Sequence, residues 1–223
     1  MGQKISAILL AAGLSRRMGE DKLLIEYRGT TLLQRAVDLL AELPVSEKIL
    51  VTTAERLETI LLPQGVRAGI DAILGEGLSG SIRLGLETVL LPREVRAQIN
   101  ANPGEGVSGS IRLGLEAARG EWYFFMTADQ PGLTMEDVLP LFGYAGHSQG
   151  KIVYPLVNGE PCTPALFSSC FRAELLALSG DTGGRVVREA HPEACVEVAP
   201  NNPAHFSDID YREDLTSVEE SNP

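Results

Sequence analysis

The sequence predicts an α/β fold, a single three-layer α/β/α domain whose mostly parallel sheet carries helices on both faces. Three observations lead there. Short runs that are apolar almost throughout, such as "ISAILL" and "WYFFM", suit strands buried on both faces rather than one. Those runs alternate with segments whose apolar residues fall at helical spacing. Glycine-bearing loops end the strands, and in such sheets ligands bind outside the carboxyl ends of the strands.

Taken in order, Ile5–Leu10 is the first expected strand. Thr31–Leu43 follows as a helix, with Leu32, Leu33, Ala36, Val37 and Leu40 on one side and Pro44 closing it. Lys48–Thr53 is the second strand, and Ala54–Leu62 a helix stopped by Pro63. Val95–Asn100 reads as a weaker strand. Ser108–Ala118 is a helix with Ile111, Leu115 and Ala118 along one face. Trp122–Met126 is too short and aromatic for a core helix and reads as a central strand. Helix Met135–Phe142, strand Ile152–Pro155 and helices Cys170–Ala177 and Gly184–Glu189 complete the pattern.

One stretch breaks the expectation of a unique chain. Leu57–Gly85 aligns without a gap on Leu86–Gly114; eight of the 29 positions differ, leaving 21 identical. No third copy lies outside them. A solenoid needs about three or more stacked units to bury a continuous core, so two near-identical copies indicate a tandem duplication inside a unique fold. Removing 29 residues from 223 leaves 194, still a single-domain length. The second copy runs unbroken into the aromatic strand and carries Asn100, Asn102 and Pro103 where the first has Asp71 and then Ile73 and Leu74, apolar where a ligand loop should be polar. It is therefore expected to be the working copy. The first is an extra strand-loop-helix segment with Ile82, Leu86 and Val89 on its helix face.

Bulk composition excludes several functions. A net charge of −11 repels a polyanion, which argues against nucleic acid as partner. Three cysteines, Cys162, Cys170 and Cys195, form no disulfide framework, and neither they nor His147, His191 and His205 stand at metal-ligand spacing. Without a cleavable leader or an apolar run of membrane-spanning length, the expected location is cytoplasmic, with no membrane partner.

Chemistry concentrates in two places. "LLAAGLSRRMGEDKLL" sets small residues directly behind the first strand, so that a ligand can approach the backbone and its N–H groups can cradle phosphate oxygens. Arg16 and Lys22 would add charge-assisted bonds. The loop is neither a Walker loop nor a G-x-G-x-x-G fingerprint. "WYFFMTADQPGL" places Asp129 just past a strand's carboxyl end, where a carboxylate can hold a hard cation against phosphates.

The pattern A-A-G-x-S-x-R-M-G-x-x-K (Ala11–Lys22) resembles the signature of nucleotidyltransferases that load a nucleotide onto a phosphorylated small molecule, in particular the molybdenum cofactor cytidylyltransferase and guanylyltransferase group. The resemblance extends to D-x-P at Asp129 and to "FSDIDYREDL" near the end, and covers nearly the whole chain. It implies a Rossmann-like nucleotidyltransferase fold and Mg²⁺ on Asp129 and Asp210, with Asp208 a weaker metal candidate. Arg16, Lys22 and Asp129 would be catalytic. The nucleotide would be held by Leu10, Ala11, Ala12, Gly13, Ser15, Arg16 and Lys22, with Asn100, Gly106 and Ser110 around the base. "VNGEPCTPALF" and "SGDTGGR" resemble the acceptor loops and imply Gly159, Pro161, Asp181, Gly183 and Arg185 for a phosphorylated pterin cofactor. The guanylyl members tend to carry A-G-G where this chain has Ala11-Ala12-Gly13, so CTP is favoured over GTP. The implied reaction transfers CMP from CTP to the pterin phosphate and releases pyrophosphate, the product then passing to a receiving molybdoenzyme. The rival readings are a same-fold enzyme using GTP or a sugar or polyol phosphate, and a non-catalytic cofactor-binding or delivery protein.

Overall fold

The computed structural model of the chain describes residues 4–14, 19–60, 88–90, 94–146, 150–211 and 213–215. In chain order its strands are β1 (Ile5–Ala11), β2 (Glu26–Tyr27), β3 (Thr30–Thr31), β4 (Glu47–Thr52), β5 (Thr88–Leu90), β6 (Val95–Ile99), β7 (Trp122–Thr127), β8 (Ile152–Val157), β9 (Glu160–Pro161), β10 (Ala165–Ser168) and β11 (Cys195–Val198). The helices are α1 (Leu32–Glu42), α2 (Ala54–Thr59), α3 (Val107–Ala117), α4 (Met135–Phe142), α5 (Arg172–Leu176) and α6 (Arg185–Ala190).

Alternation along β1 shows why the domain has three layers. Ile5, Ala7, Leu9 and Ala11 point into one apolar cluster, Ile8 and Ala12 into another. On the first face α1 contributes Leu33, Val37 and Leu40, and α4 contributes Val138, Leu141 and Phe142. On the second, α3 contributes Ile111 and Leu115, α5 Leu175 and α6 Val187. Helix α3 lies close against the sheet because Gly114 has no side chain: a Cβ there would stand 2.5 Å from the Ile8 methyl Cγ2.

The main sheet runs β11-β8-β10-β7-β1-β4-β6-β5, with β9 folded back on β8. Pairs β1·β4, β1·β7, β4·β6 and β8·β11 are parallel, whereas β10 is antiparallel to both its neighbours and β5 to β6. The chain moves outward from β1 through β4 to β6, then returns to lay β7 on the other side of β1. That reversal opens a crevice at the carboxyl ends of β1 and β7, where ligands of such sheets bind. Register brings Leu10 opposite Thr127 at this end.

The expected elements are present, with shifted ends. Helix α2 stops at Thr59 rather than Leu62, and the expected helix from Cys170 begins with a 3₁₀ turn over Ser169–Phe171. The edge strands β5 and β11, the inner strand β10 and the short hairpin strands β2, β3 and β9 were not anticipated. Val89, expected on a helix face, lies in β5 and pairs with Ala97. Ser15 and Arg16 of the first loop, and Asp71, Ile73, Leu74, Ile82 and Leu86 of the repeated segment, lie outside the described residues. Among the described residues no helix is long and apolar enough to cross a membrane.

Candidate active site

The crevice is organised around one ammonium group. Lys22 opens a 3₁₀ turn (Lys22–Leu24) whose N-cap Asp21 accepts from Leu23 N at 3.2 Å, so the lysine leaves the loop after β1 in a fixed direction. Its Nζ donates to Asp129 Oδ2 at 2.8 Å, to the Ile209 carbonyl at 3.0 Å and to Asp210 Oδ1 at 3.1 Å. Burial alone would lower the lysine's pKa, but the charge and hydrogen bond of Asp129, then those of Asp210, hold it above its ordinary value. The lysine is therefore a committed cation.

Each carboxylate is positioned by its own device. Asp129 stands two residues past the end of β7, and its neighbour Gln130 is fixed by Nε2 donating to the Thr163 and Phe206 carbonyls. The tail reaches the site because Ile209 N donates to the Asp129 carbonyl at 2.9 Å while its side chain is buried against Tyr27 and Leu32. Asp214 Oδ2 then accepts from the amides of Asp210 and Tyr211, turning Asp210 toward Lys22. Asp208 is exposed as a residue. Desolvation of its carboxyl group, then the charge of Asp129, nonetheless push it up to about 6, against a hydrogen bond from Gln130.

Around this centre lies a cleft of about 580 Å³ lined by Leu10, Gly13, Lys22, Gly106 and Ser110 together with Asp129 and Asp210. Ala11 and Ala12, between Leu10 and Gly13 in the chain, are buried and do not line it. Asn100 is buried too. It gives its amide to Ser110 Oγ at 3.1 Å and accepts from Asn102 N at 2.9 Å, which shapes the loop ahead of α3.

A second cleft, about 740 Å³, adjoins the first and shares Leu10, Val107 and Thr127 with it. It is lined by Pro161, Gly183 and Arg185 of the acceptor set, and also by Tyr154, Phe167 and Arg188. The Arg188 guanidinium stacks 4.9 Å over the Tyr154 ring. Burial, then Cys195 and Glu197, push the Tyr154 phenol up to about 12. Arg185 pairs with Glu189 at 2.5 Å on the exposed rim.

Two residues expected at the acceptor stand outside the second cleft. Gly159 belongs to the β8–β9 turn and lines neither cleft. Asp181 lines the first cleft, because its carboxylate accepts from Val107 N at 3.3 Å at the start of α3. The sequence reading also missed Thr127, which lines both clefts with a buried hydroxyl that has no hydrogen-bond partner among the described residues. Its position as the last residue of an apolar strand was the available signal. Cys162 and Cys195 line the second cleft and Cys170 is exposed. Among the described residues no group of three or more His, Cys, Asp or Glu side chains could hold a metal ion.

Comparison with known proteins bears on the family and the fold. A family model, the MobA-like NTP transferase domain, matches residues 7–96 and again 88–195, a double match consistent with the tandem duplication. A probable molybdenum cofactor guanylyltransferase from Pyrococcus horikoshii is 32% identical over 70 residues, which are 31% of this chain and 36% of that protein. The match thus spans about a third of the length of that curated relative. Among solved structures, a nucleotidyl transferase from Methanothermobacter thermautotroptrophicus superimposes with a TM-score of 0.69 at 20% identity, covering 98% of this chain and 97% of that one. Rv0371C in complex with manganese, from Mycobacterium tuberculosis H37Rv, gives 0.64 at 19% identity over 99% and 100% of the two chains. Both show the same fold.

Proposed function

The chain belongs to the MobA-like NTP transferase family, and from that premise we propose that it transfers CMP from CTP to the phosphate of a molybdopterin-type cofactor. The observation that carries the reading is Lys22 held between Asp129 and Asp210 in a cleft that continues into a second, more apolar one. The first cleft receives the nucleotide and the second the acceptor, so the acceptor's phosphate meets the nucleotide near Leu10 and Thr127.

In the proposed reaction an acceptor phosphate oxygen attacks the α-phosphorus of CTP. A new P–O bond forms, the bond between the α-phosphorus and its bridging oxygen breaks, and pyrophosphate leaves. No side-chain nucleophile is required, and the protein contributes positioning and charge. Lys22, with Arg16 proposed beside it from the resemblance, neutralises the triphosphate. Asp129 and Asp210 fit a divalent cation: both offer hard oxygen donors, and Asp129 Oδ1 is buried without a hydrogen-bond partner among the described residues. When bound, Mg²⁺ would offset the charge building on the transferred and leaving phosphates. The manganese carried by the mycobacterial relative supports a divalent ion here.

The acceptor contacts are proposed at Pro161, Gly183 and Arg185. The cytidylyl preference rests on Ala11-Ala12-Gly13. A second reading, guanylyl transfer from GTP, is favoured by the similarity to the Pyrococcus guanylyltransferase. To choose the acceptor, pyrophosphate release from CTP is measured with purified molybdopterin and with a polyol phosphate. Release with molybdopterin alone supports the proposal. Release only with the polyol phosphate overturns the pterin assignment.

A further inference from the structure

One side chain ties together both ends of the loop after β1. Arg56, in α2, is 4% exposed, and its Nη1 donates to the carbonyl of Ala11, the last residue of β1, at 2.7 Å. Its Nε and Nη2 reach Asp21 Oδ2 and Oδ1 at 2.6 and 2.8 Å, a two-pronged pairing that uses the planar fork of the guanidinium. Thr52 Oγ1 also donates to the Ala11 carbonyl, at 3.3 Å. Asp21 is the residue that caps the turn beginning with Lys22. Neither Arg56 nor Asp21 lines either cleft.

We propose that Arg56 and Asp21 form a staple that fixes the span of the triphosphate loop and the origin of the Lys22 side chain. They are positioning residues for nucleotide binding and do not touch substrate. The inference rests on the reading of the first cleft as the nucleotide site. A buried ion pair contributes little net stability over an apolar pair of similar volume, but its geometry is demanding. Here that geometry fixes two points separated by the whole loop. The dependence is steep, because Lys22 must meet atoms of Asp129, Ile209 and Asp210 within 2.8–3.1 Å from a turn whose cap is Asp21, one half of the pair. A displacement of about 1 Å can cost on the order of 100-fold in a positioned site.

The test compares the full-length protein with Arg56→Met, Arg56→Lys and Asp21→Asn. CTP and GTP affinities with Mg²⁺ are measured by calorimetry, and KM values for nucleotide and acceptor by pyrophosphate release. The staple predicts that Arg56→Met weakens triphosphate binding and raises the nucleotide KM at least tenfold, with the acceptor KM within twofold. Arg56→Lys, which keeps the charge but loses the fork, recovers part of the loss. Asp21→Asn, which keeps an acceptor for Leu23 N, falls between. A folded Arg56→Met with nucleotide KM within twofold of the parent overturns the proposal, as does an equal rise for nucleotide and acceptor. If Arg56→Met does not fold, Asp21→Asn decides by the same criteria. Should the parent bind no nucleoside triphosphate, the functional reading fails by itself. Hydrogen exchange then judges the staple: amides 11–14 and 19–24 must exchange at least tenfold faster in the variant, with β4 and β7 unchanged, and unaltered exchange overturns it.

Discussion

Gly106→Ala tests the contact that joins the two halves of the site. Gly106 has φ +84° and ψ −172°, a region essentially confined to glycine that costs a side-chain-bearing residue about 1–3 kcal/mol. The new Cβ would also lie 2.5 Å from the carbonyl carbon and oxygen of Gly180 and 2.7 Å from Asp181 N. These are backbone atoms and cannot rotate away, so the turn must shift at an overpacking cost of about 1–3 kcal/mol. The shift would strain the bonds that seat α3 on this turn, Ser108 N and Oγ to the Gly180 carbonyl and Val107 N to Asp181. The two costs together come to about 2–6 kcal/mol, which for a domain of this size lowers Tm by roughly 5–20 °C. Thermal melts followed by circular dichroism measure it. Gly104→Ala is the control, because a Cβ there meets nothing within 4 Å, and its melt is expected to match the parent. A Gly106→Ala melt within about 2 °C of the parent would refute the close approach as a constraint, since that shift corresponds to about 1 kcal/mol or less.

Asp129→Asn is expected to abolish turnover even at saturating Mg²⁺ while leaving a cooperative melt, because the amide keeps the shape but loses the charge facing Lys22. Near-normal pyrophosphate release in this variant would remove Asp129 from the metal assignment. Ala12→Gly is expected to shift kcat/KM from CTP toward GTP. Ala12 is 1% exposed, so the effect must pass through the backbone of the loop, and an unchanged CTP-to-GTP ratio would sink that link. Excising residues 57–85 joins Arg56 to Leu86 and should leave a folded, active protein. Leu86 and Val89 would then fill the buried places of Leu57 in α2 and of Ile60 at its C-cap, an Ile-to-Val loss of about 0.5–1.5 kcal/mol, and the three-residue edge strand β5 would be given up. An unfolded product would mean that the first copy is built into the core.

The centre of the sheet was legible because β1, β4 and β7 are apolar on both faces, and only a buried strand suits such runs. Strands β10 and β11 carry no such signal. β10 is four residues directly after Pro164, and β11 is interrupted by an exposed glutamate, Glu197. The duplication sharpens the point. Leu57-Glu58-Thr59 ends a helix whose N-cap Thr53 accepts from Arg56 N, whereas Thr88 of the identical triplet starts a strand paired with β6. Local letters are the same and tertiary partners decide. In the site, Lys22, Asp129 and Asp210 could be named from motifs, but their meeting depends on contacts across 107 and 188 residues that no local spacing encodes. Asp181 was grouped by its neighbours in sequence, yet the turn carrying it crosses from one cleft to the other. Arg56 left a faint trace, an arginine beside the apolar stripe of Leu57 and Ile60.

The central claim, nucleotidyl transfer from CTP to a pterin phosphate, is tested most directly by the mass of the product. The protein is incubated with Mg²⁺, purified molybdopterin and each of the four nucleoside triphosphates in turn, and the cofactor is recovered for mass spectrometry. The account predicts a cofactor heavier by one CMP unit in the CTP reaction, with one pyrophosphate released per adduct. A GMP adduct in its place would contradict the cytidylyl assignment. No adduct and no pyrophosphate with any of the four would contradict nucleotidyl transfer to this acceptor altogether.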